Sequence, residues 1–332
     1  MGGISWTRVI AYGLVAGLVI NVSGVVLKGV VLAEPLTIVM EELGRSGEMT
    51  SGDLVSWSLY GFALGIASLW MYAAMRPGFG EGARTVLYAG TAVWIFTYFL
   101  DAAALVTGEL FLSGHPEFLL VTTLGVAWGL VELCVATALG AWLYQRGEET
   151  RDEGVRVAKI RWPRMMLAGL VVSIMFTLVT GLFNFLSVSL LGVGVGDELF
   201  SLEAMEKLAI SEFPPDIGVL VVFVTSYWIV FGIVMGTAMV WIYAAIRPRF
   251  GSGVKTAVYA GLAAWFLYGC LGGPLLGLTG LSSSISGLFP VEGMIVSALL
   301  HLPGYCLAVP VGVWIFLRSE FQNHVEADID GS

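Results

Sequence analysis

The sequence predicts an all-α membrane protein with eight transmembrane helices in two parallel four-helix repeats. Three observations lead to this fold class: the composition is apolar, eight apolar runs can cross a bilayer, and one 25-residue stretch occurs twice. Apolar residues make up 57% of the 332 and charged residues 12%, which is about half the charged fraction of a typical soluble domain. The composition therefore excludes an ordinary soluble domain, and the chain has no basic patch for nucleic acid.

The eight apolar runs each match the length of about 20 helical residues that a bilayer core requires. They lie near 7–31, 54–75, 84–107, 117–144, 164–191, 217–246, 255–278 and 291–317. The first run has no small-residue cleavage site after a short apolar core, so we expect an uncleaved signal anchor. A long polar stretch between the fourth and fifth runs separates two halves. We therefore predict a first repeat at 1–145, a linker at 146–163, a second repeat at 164–318 and an acidic tail at 319–332.

The duplicated stretch occupies residues 70–94 and 241–265, at a constant offset of 171 positions. Of the 25 aligned pairs 15 are identical, and both copies lie between apolar runs, so the repeated unit is a membrane unit. In the fourth helix of each half, Trp142 aligns with Trp314 and Cys134 with Cys306. Because four spans is an even number, we expect both halves to have the same orientation in the bilayer.

The basic residues predict that orientation. In the predicted topology, 13 of the 16 Lys and Arg residues fall on the side that holds both termini and the linker. The positive-inside rule makes this side cytoplasmic. The opposite loops are acidic, and their segments 36–48 and 200–213 are expected to form short helices that pack on the bundle.

Each copy of the duplicated stretch contains a predicted helix end and a predicted turn. Proline disfavours helical geometry in the residue before it, so Pro77 and Pro248 are expected to end a helix. The glycines that follow supply the unusual dihedral angles of a tight turn, at 79–82 and at 250–253. We expect the two turns to have the same backbone.

A glycine-rich turn beside arginine and a helix N-terminus could hold a phosphate or a lipid headgroup. The alternative is a cytoplasmic hairpin with ordinary positive-inside anchors. The spacing matches neither the P-loop nor the dinucleotide fingerprint, so it does not favour nucleotide binding. The candidates for headgroup or anion contact are Arg76, Arg84, Arg247, Arg249 and Lys255.

The run Trp-x-Tyr-Ala-Ala-x-Arg-Pro-x-Phe-Gly-x-Gly resembles a family of small, uncharacterised bacterial integral membrane proteins built on a four-helix unit. A GLVAGLVIN-like first helix at 13–21 and a fourth helix at 131–144 extend the resemblance over most of 6–145. In the second half the resemblance is strong only over 241–265. It implies a four-helix unit duplicated in tandem and a bacterial-type inner membrane, and it carries no catalytic residue.

Two carboxylates lie within the predicted spans, Asp101 in the third and Glu132 in the fourth. Ionisable side chains inside a bilayer are costly and usually face a bundle interior or a water-filled cavity. The aligned residues of the second half are Gly272 and Gly304. We therefore expect a charged interior in the first half only.

The depth of these carboxylates along their helices predicts their partners. Glu132 and Asn21 lie near the middle of their spans, whereas Asp101 and Lys28 lie nearer the outer surface. We expect Glu132 beside Asn21, and Asp101 beside Lys28. Such contacts either fasten helices together or form a path for transport or proton relay, and the sequence leaves both open.

The second half offers different groups. His301 is in the eighth predicted span, within about one turn of the depth of Glu132. A lone histidine is more often a bonded structural group than a proton shuttle. The segment 272–274, Gly-Gly-Pro, is expected to break the seventh helix and to form one wall of a site. Because the cysteines and histidines are not clustered, no metal or cofactor is predicted.

Three function classes follow from these observations. The first is small-solute or ion transport, through a pathway near the repeat interface. The second is a structural or accessory role, in which the acidic outer loops bind a protein partner. The third, a lipid-modifying enzyme, has no catalytic set of residues in the sequence. The surroundings are the lipid bilayer of the cell membrane, and the solute, the ion and the oligomeric state stay open. The transport hypothesis assigns the polar interior to Asn21, Lys28, Asp101, Glu132 and His301.

Overall fold

The computed structural model describes residues 4–42, 51–100, 102, 116–146, 162–191, 217–275 and 291–330. Within these ranges the secondary structure is helical with no strand, so the all-α prediction is confirmed there. The nine helices of the described ranges are α1 (Trp6–Val26), α2 (Ala33–Glu42), α3 (Ser51–Phe79), α4 (Ala83–Trp94), α5 (Pro116–Arg146), α6 (Trp162–Leu191), α7 (Ile217–Phe250), α8 (Val254–Ala264) and α9 (Val291–Asp330). Three of them continue as π-helices: α1 over Leu27–Val31, α4 over Ile95–Phe99 and α8 over Trp265–Leu275.

Seven helical segments within the described residues are long and apolar enough to cross a membrane. They are Trp6–Val31, Leu54–Phe79, Leu119–Arg146, Trp162–Phe183, Ile229–Phe250, Val254–Leu271 and Ala298–Arg318. The third predicted span, 84–107, is described only over 84–100 and at 102, and it is not among the seven. The segments indicate a polytopic membrane protein, and the eighth span stays a prediction.

The outer surface of the helices is apolar. On α6 the side chains of Leu178, Leu182 and Phe185 are exposed, and on α5 those of Val131 and Val135 are exposed. Contiguous apolar surface of this kind is rare on soluble proteins. A spanning helix presents apolar side chains of this kind to lipid. Its backbone needs no partner there, because the backbone hydrogen bonds are already made within the helix.

Glycines set the close crossing of α1 with α3 and of α6 with α7. A Cβ at Gly65 would overlap the backbone of Gly17, and a Cβ at Gly236 would overlap the carbonyl oxygen of Gly169. Small residues let membrane helices approach backbone to backbone. We call residues 4–146 the N-terminal half and residues 162–330 the C-terminal half. In each half the two crossing helices also pack against its last helix, α5 or α9.

The two prolines of the duplicated stretch do not end their helices, contrary to the sequence prediction. Helices α3 and α7 run past them to Phe79 and Phe250. They end at Gly80 and Gly251, whose φ angles are 84° and 88°. Glycine reaches this left-handed region without the steric cost of a side chain, and it is the usual residue after a helix C-terminus. We call this end of the bundle the turn end and the opposite end the loop end.

The two copies of the stretch pack against each other where α3 meets α7. Pro77 has no N–H, so the carbonyl of Ala73 lacks the donor that a helix would supply. Arg249 replaces this donor: its Nη1 donates to the Ala73 oxygen at 2.6 Å. Nearby, a Cβ at Gly78 would lie 2.8 Å from Cγ of Pro248. The helix therefore tolerates its proline because the other half provides a hydrogen bond.

Other predicted segments differ from the structure or lie partly or wholly outside the described ranges. Residues 272–274 do not break α8, because they lie in the π-helix that runs to Leu275, and a local π-helical adjustment can accommodate a proline in a membrane helix. The predicted tail is helical through Asp330 as part of α9. Helix α2 packs against α5, as expected for the first loop segment, whereas 200–213 and the linker 147–161 lie outside the described residues.

Candidate functional site

Glu132 is buried inside the N-terminal half, with 6% of its surface exposed. It lies midway along the span Leu119–Arg146. The hydroxyl of Tyr98 donates a hydrogen bond to Oε1 of Glu132 at 3.1 Å. Ser23 and Trp128 also lie within hydrogen-bonding reach of the carboxyl group. Three helices, α1, α4 with its π-helical extension and α5, thus place polar atoms around one carboxylate.

Tyr98 is positioned by two local features. It lies in the π-helix Ile95–Phe99, in which the wider turn changes the direction of the following side chains. This stretch is attached to α5, because Nε1 of Trp94 donates to the carbonyl of Val126 at 2.8 Å. Gly129 then leaves room for the tyrosine ring, since a Cβ there would lie 2.7 Å from Cδ1 of Tyr98.

Polar side chains continue from Glu132 toward the loop end. Nε1 of Trp128 donates to Oγ of Ser23 at 2.7 Å, one turn nearer the loop end along α5. Farther along, Nζ of Lys28 is buried and lies 3.1 Å from the ring centroid of Trp57, a cation–π arrangement. Lys28 is near enough to Glu132 to interact with it electrostatically. We call this set the polar column, and its members are Lys28, Ser23, Trp128, Tyr98 and Glu132.

The side of Glu132 toward the turn end is closely packed and mainly apolar, apart from the buried hydroxyls of Ser68 and Thr137. The next turns of α1, α3, α4 and α5 contribute side chains that are at most 1% exposed: Ala16, Ile20, Leu64, Val93 and Ala136. An ion or polar solute has no hydrogen-bonding partner among these atoms. The polar column therefore reaches the middle of the bundle from the loop end and stops at Glu132.

The structure gives the predicted residues partners other than those expected. Nδ2 of Asn21 donates to the carbonyl of Ser58 at 3.1 Å, and the side chain rests against the space left by Gly61. The described contacts of Glu132 are with Tyr98, Ser23, Trp128 and Lys28 instead. Asp101, the expected partner of Lys28, lies outside the described residues.

Sequence reasoning missed Ser23, Tyr98 and Trp128 as members of the site. Trp128 carries a usable signal, because it lies one helical turn from Glu132 and therefore on the same face of α5. Ser23 carries none, since α1 is apolar around nearly its whole circumference, and Tyr98 carries none, since α4 and its extension contain several other hydroxyl groups. Only the rotation of each helix in the packed bundle decides which hydroxyl faces the carboxylate.

His301 lies at a different place, in a cavity of the C-terminal half. The cavity has a volume of about 290 Å³, at the lower end of the range for small-molecule sites. The His301 ring lies nearly parallel to the ring of Phe176, with centroids 6.3 Å apart. The residues that line the cavity come from α6, α7 and α9: Val172, Ser173, Phe176, Thr177, Thr180, Gly181, Phe231, Gly232, Met235, Gly236, Met239 and His301.

Glu132 and His301 are therefore not brought together at an interface between the halves. The described partners of Glu132 all belong to the N-terminal half. Those around His301 all belong to the C-terminal half. The described contacts give two separate environments instead of the single shared pathway that the sequence suggested.

The basic candidates lie at the turn end, and most have partners within the chain. Arg76 forms an ion pair with Glu81, and Nε of Arg84 donates to the hydroxyl of Tyr88 at 3.0 Å. Arg249 donates to the backbone of Ala73, and the carbonyl of Arg247 accepts the N–H of Gly251. Nζ of Lys255 lies 5.7 Å from the ring centroid of Tyr259. These contacts favour the hairpin-anchor interpretation over a headgroup site.

Within the described residues, no three His, Cys, Asp or Glu side chains are close enough together to hold a metal ion. Cys134, Cys270 and Cys306 are free thiols. No protein-family model matches the chain, and neither the curated proteins nor the solved structures contain a significant match.

Proposed function

We propose that the chain is a small-solute or ion transport protein in which Glu132 binds the transported or coupling cation, a proton or Na⁺. The observation that carries this proposal is a carboxylate 6% exposed at the middle of a span. A charged group at that depth is costly, and it is usually kept where an ion or proton must pass. The C-terminal half has no counterpart, because Gly304 occupies the aligned position.

The one-sided arrangement around Glu132 supports transport more than fastening. A fastener needs one partner on a neighbouring helix, whereas here polar groups from three helices form a column toward the loop end. The opposite side is sealed by buried apolar side chains such as Ile20 and Leu64. A cation that reached Glu132 from the loop end would leave at the turn end only after these helices moved apart, which is the alternating access of a transporter.

The second candidate is the structural or accessory role. The observation that favours it is that the chain itself surrounds Glu132 with partners, since Tyr98 donates a hydrogen bond to it and Ser23 and Trp128 lie within hydrogen-bonding reach. In that role the column would hold α1, α4 and α5 in register. The acidic loops would then bind the partner.

Flux measurements on the purified protein in liposomes distinguish the transport role from the structural or accessory role. With a potassium diffusion potential imposed, we expect wild-type protein to carry protons, read by an internal pH dye, or ²²Na⁺. Glu132→Gln keeps the size and an acceptor oxygen but removes the charge. It should lower the flux by at least about tenfold, because no other carboxylate among the described residues lies within a span.

The matched control is Glu81→Gln, which removes a carboxylate that pairs with Arg76 outside the bundle interior. We expect this variant to retain the wild-type flux. Absence of both proton and Na⁺ flux in the wild type overturns the transport proposal. Equal flux in Glu132→Gln and the wild type does the same.

We also propose that the chain is a tandem duplication with eight spans, both termini cytoplasmic, in a bacterial-type inner membrane. Equivalent contacts support this arrangement: Nε1 of Trp94 donates to Val126 at 2.8 Å, and Nε1 of Trp265 donates to Ala298 at 2.7 Å. A cysteine-free chain carrying Glu149→Cys or Ser201→Cys tests it on intact cells. A membrane-impermeant maleimide should label position 201 and not 149, and the opposite result contradicts the topology.

A further inference from the structure

The cavity of the C-terminal half takes no part in the proposed transport site. It is bounded by α6, α7 and α9 and has a volume of about 290 Å³, enough for a small ring compound. We propose that this cavity binds a lipid-soluble quinone, with the ring inside and the isoprenoid tail in the bilayer. The inference does not depend on transport, since it concerns the other half of the chain.

The lining of the cavity includes hydrogen-bonding groups. Thr180 is 8% exposed, and its Oγ1 makes no hydrogen bond to the described residues. A buried hydroxyl without a partner costs free energy, which a bound acceptor would recover. His301 lines the same cavity, and an imidazole N–H is a second potential donor. Two donors in a largely apolar lining suit a carbonyl oxygen.

The absence of a side chain at position 304 creates room for the threonine hydroxyl. A Cβ at Gly304 would lie 2.5 Å from Oγ1 of Thr180 and 3.1 Å from the ring of Phe176. Both groups therefore occupy the space that corresponds to Glu132 in the other half. Where the N-terminal half has a carboxyl group, the C-terminal half has a neutral hydroxyl donor, which can bind a carbonyl acceptor.

The walls of the cavity fit a flat ring. Phe176 and Phe231 face it with Met235 and Met239. Aromatic rings stack in offset arrangements, and thioethers make favourable contacts with ring edges. The His301 ring, inclined 22° to that of Phe176, forms a further flat surface.

The cavity opens toward the lipid-facing side of α6. Thr177 and Gly181 line it and are exposed. Their neighbours Ile174 and Leu178 are 51% and 63% exposed, so this face of α6 is apolar. A ligand that enters here comes from the bilayer and must be lipophilic. Lipophilicity, a flat ring and a carbonyl acceptor together describe a quinone.

Direct binding to the purified full-length chain in detergent tests this assignment, with decylubiquinone as the probe. Decylbenzene has a ring and an alkyl tail but no carbonyl group. We expect decylubiquinone to bind at least about tenfold more tightly, because two hydrogen bonds distinguish the probes. Thr180→Val removes the hydroxyl at constant shape and should weaken quinone binding about fivefold. His301→Phe is expected to have a similar effect.

A mouth variant tests the position of the site without disturbing helix packing. A Cβ at Gly181 meets no atom within 4 Å, so Gly181→Phe should fold and block the entrance. Its matched control is Gly125→Phe in α5, where a Cβ is also unobstructed. The control for Thr180→Val is Thr137→Val, since Thr137 is a buried threonine of the other half whose Oγ1 likewise makes no hydrogen bond to the described residues.

Unfolding curves of each variant show whether it is folded. The proposal is supported when Thr180→Val and Gly181→Phe bind quinone more weakly and both controls bind as the wild type does. Equal binding of decylbenzene overturns it. Unchanged quinone binding in folded Gly181→Phe overturns it as well, and so does absence of quinone binding to the wild type.

Discussion

Each half has an ionisable side chain inside the bundle on its last helix, Glu132 on α5 and His301 on α9. When the two helices are aligned, these positions differ by one helical turn. In α5 the residues three apart are Gly129 and Glu132, and in α9, at an offset of 172, they are His301 and Gly304. Each half thus has one glycine and one ionisable residue, in the opposite order. The glycine admits a ring from a neighbouring helix: Tyr98 at Gly129 and Phe176 at Gly304.

The two halves therefore have similar contacts between helices but different polar groups inside them. The similar contacts are glycine crossings and tryptophan hydrogen bonds that recur in both halves. The polar groups inside each half differ because of the residues in one helical turn, which lies on α5 in the N-terminal half and on α9 in the C-terminal half. Where Glu132 occupies the interior, its partners fill the surrounding space. Where Gly304 does so, Thr180 and Phe176 fill the space beside it, and both also line the cavity that contains His301.

The largest expected effect is at the crossing glycines. Gly65→Ala and Gly236→Ala each place a methyl group inside the backbone of the neighbouring helix. We expect each to lower the free energy of unfolding by about 3 kcal/mol, the upper part of the range for overpacking. Unfolding of the purified protein in mixed detergent–SDS micelles measures it.

Gly125→Ala is the matched control, because a Cβ there meets no atom within 4 Å, and its stability should equal that of the wild type. Comparing Gly65→Ala with Gly236→Ala tests whether the two halves have the same type of helix crossing. If Gly236→Ala is tolerated while Gly65→Ala is not, the two halves do not share one type of helix crossing.

The next largest effect is expected at Glu132, a position at which the two halves differ. Glu132→Ala leaves the hydroxyl of Tyr98 without this acceptor and removes the carboxyl group that interacts electrostatically with Lys28. We expect a loss of about 2 kcal/mol in the free energy of unfolding, as for buried donors left unpaired. Glu132→Gln retains an acceptor and should lose less than half of this amount. If Glu132→Ala is as stable as the wild type in the same micelles, the polar column is not a buried hydrogen-bonded unit.

A smaller effect is expected at the turns, where the halves should again agree. Gly80 and Gly251 have φ angles of 84° and 88°, so Gly80→Ala and Gly251→Ala should each destabilise the protein by about 1 kcal/mol. Gly82→Ala is the control, since its φ is −81° and its Cβ would meet no atom within 4 Å. Thermal unfolding in detergent compares the three variants. Equal stability of Gly80→Ala and Gly82→Ala would contradict the role of the positive φ angle.

Local features of the fold were predictable from the sequence because local sequence determines them. Apolar runs predicted the helices, and the glycines at 80 and 251 predicted the turns, since both signals act within a few residues. The prediction of one shared turn backbone was wrong at the last glycine, because φ is −81° at Gly82 and 165° at Gly253. The helix ends near Pro77 and Pro248 were predicted wrongly. The missing N–H of Pro77 is compensated by Arg249, which is 176 positions away in the chain, and no local rule includes such a donor.

The site was less predictable because it depends on how apolar helices rotate. Glu132 was identified by its cost in a bilayer, which is a property of one residue. Its partners were not identified: Asn21 and Ser23 are two residues apart on α1 and so point in nearly opposite directions. In a helix that is apolar all round, no polar face indicates which of them meets α5. The cavity was missed since it results from small residues on α6 and α7, which meet α9 only in the packed bundle.

The smallest effect gives the sharpest test of equivalence between the halves. Trp94 and Trp265 both lie at the junction of an α-helix with a π-helix, and each indole donates to a carbonyl of the last helix in its half. Trp94→Phe and Trp265→Phe each remove this hydrogen bond together with one ring of the indole, at partly buried positions in both halves. Such bonds in membrane proteins contribute about 0.6 kcal/mol on average. The two variants should therefore cost the same small amount, and Trp142→Phe, at an exposed position, should cost nothing. A difference of more than about 1 kcal/mol between the two would exceed the value of one such bond. It would show that the π-helical junctions, and with them the positions of Tyr98 and Gly269, are held by different forces in the two halves.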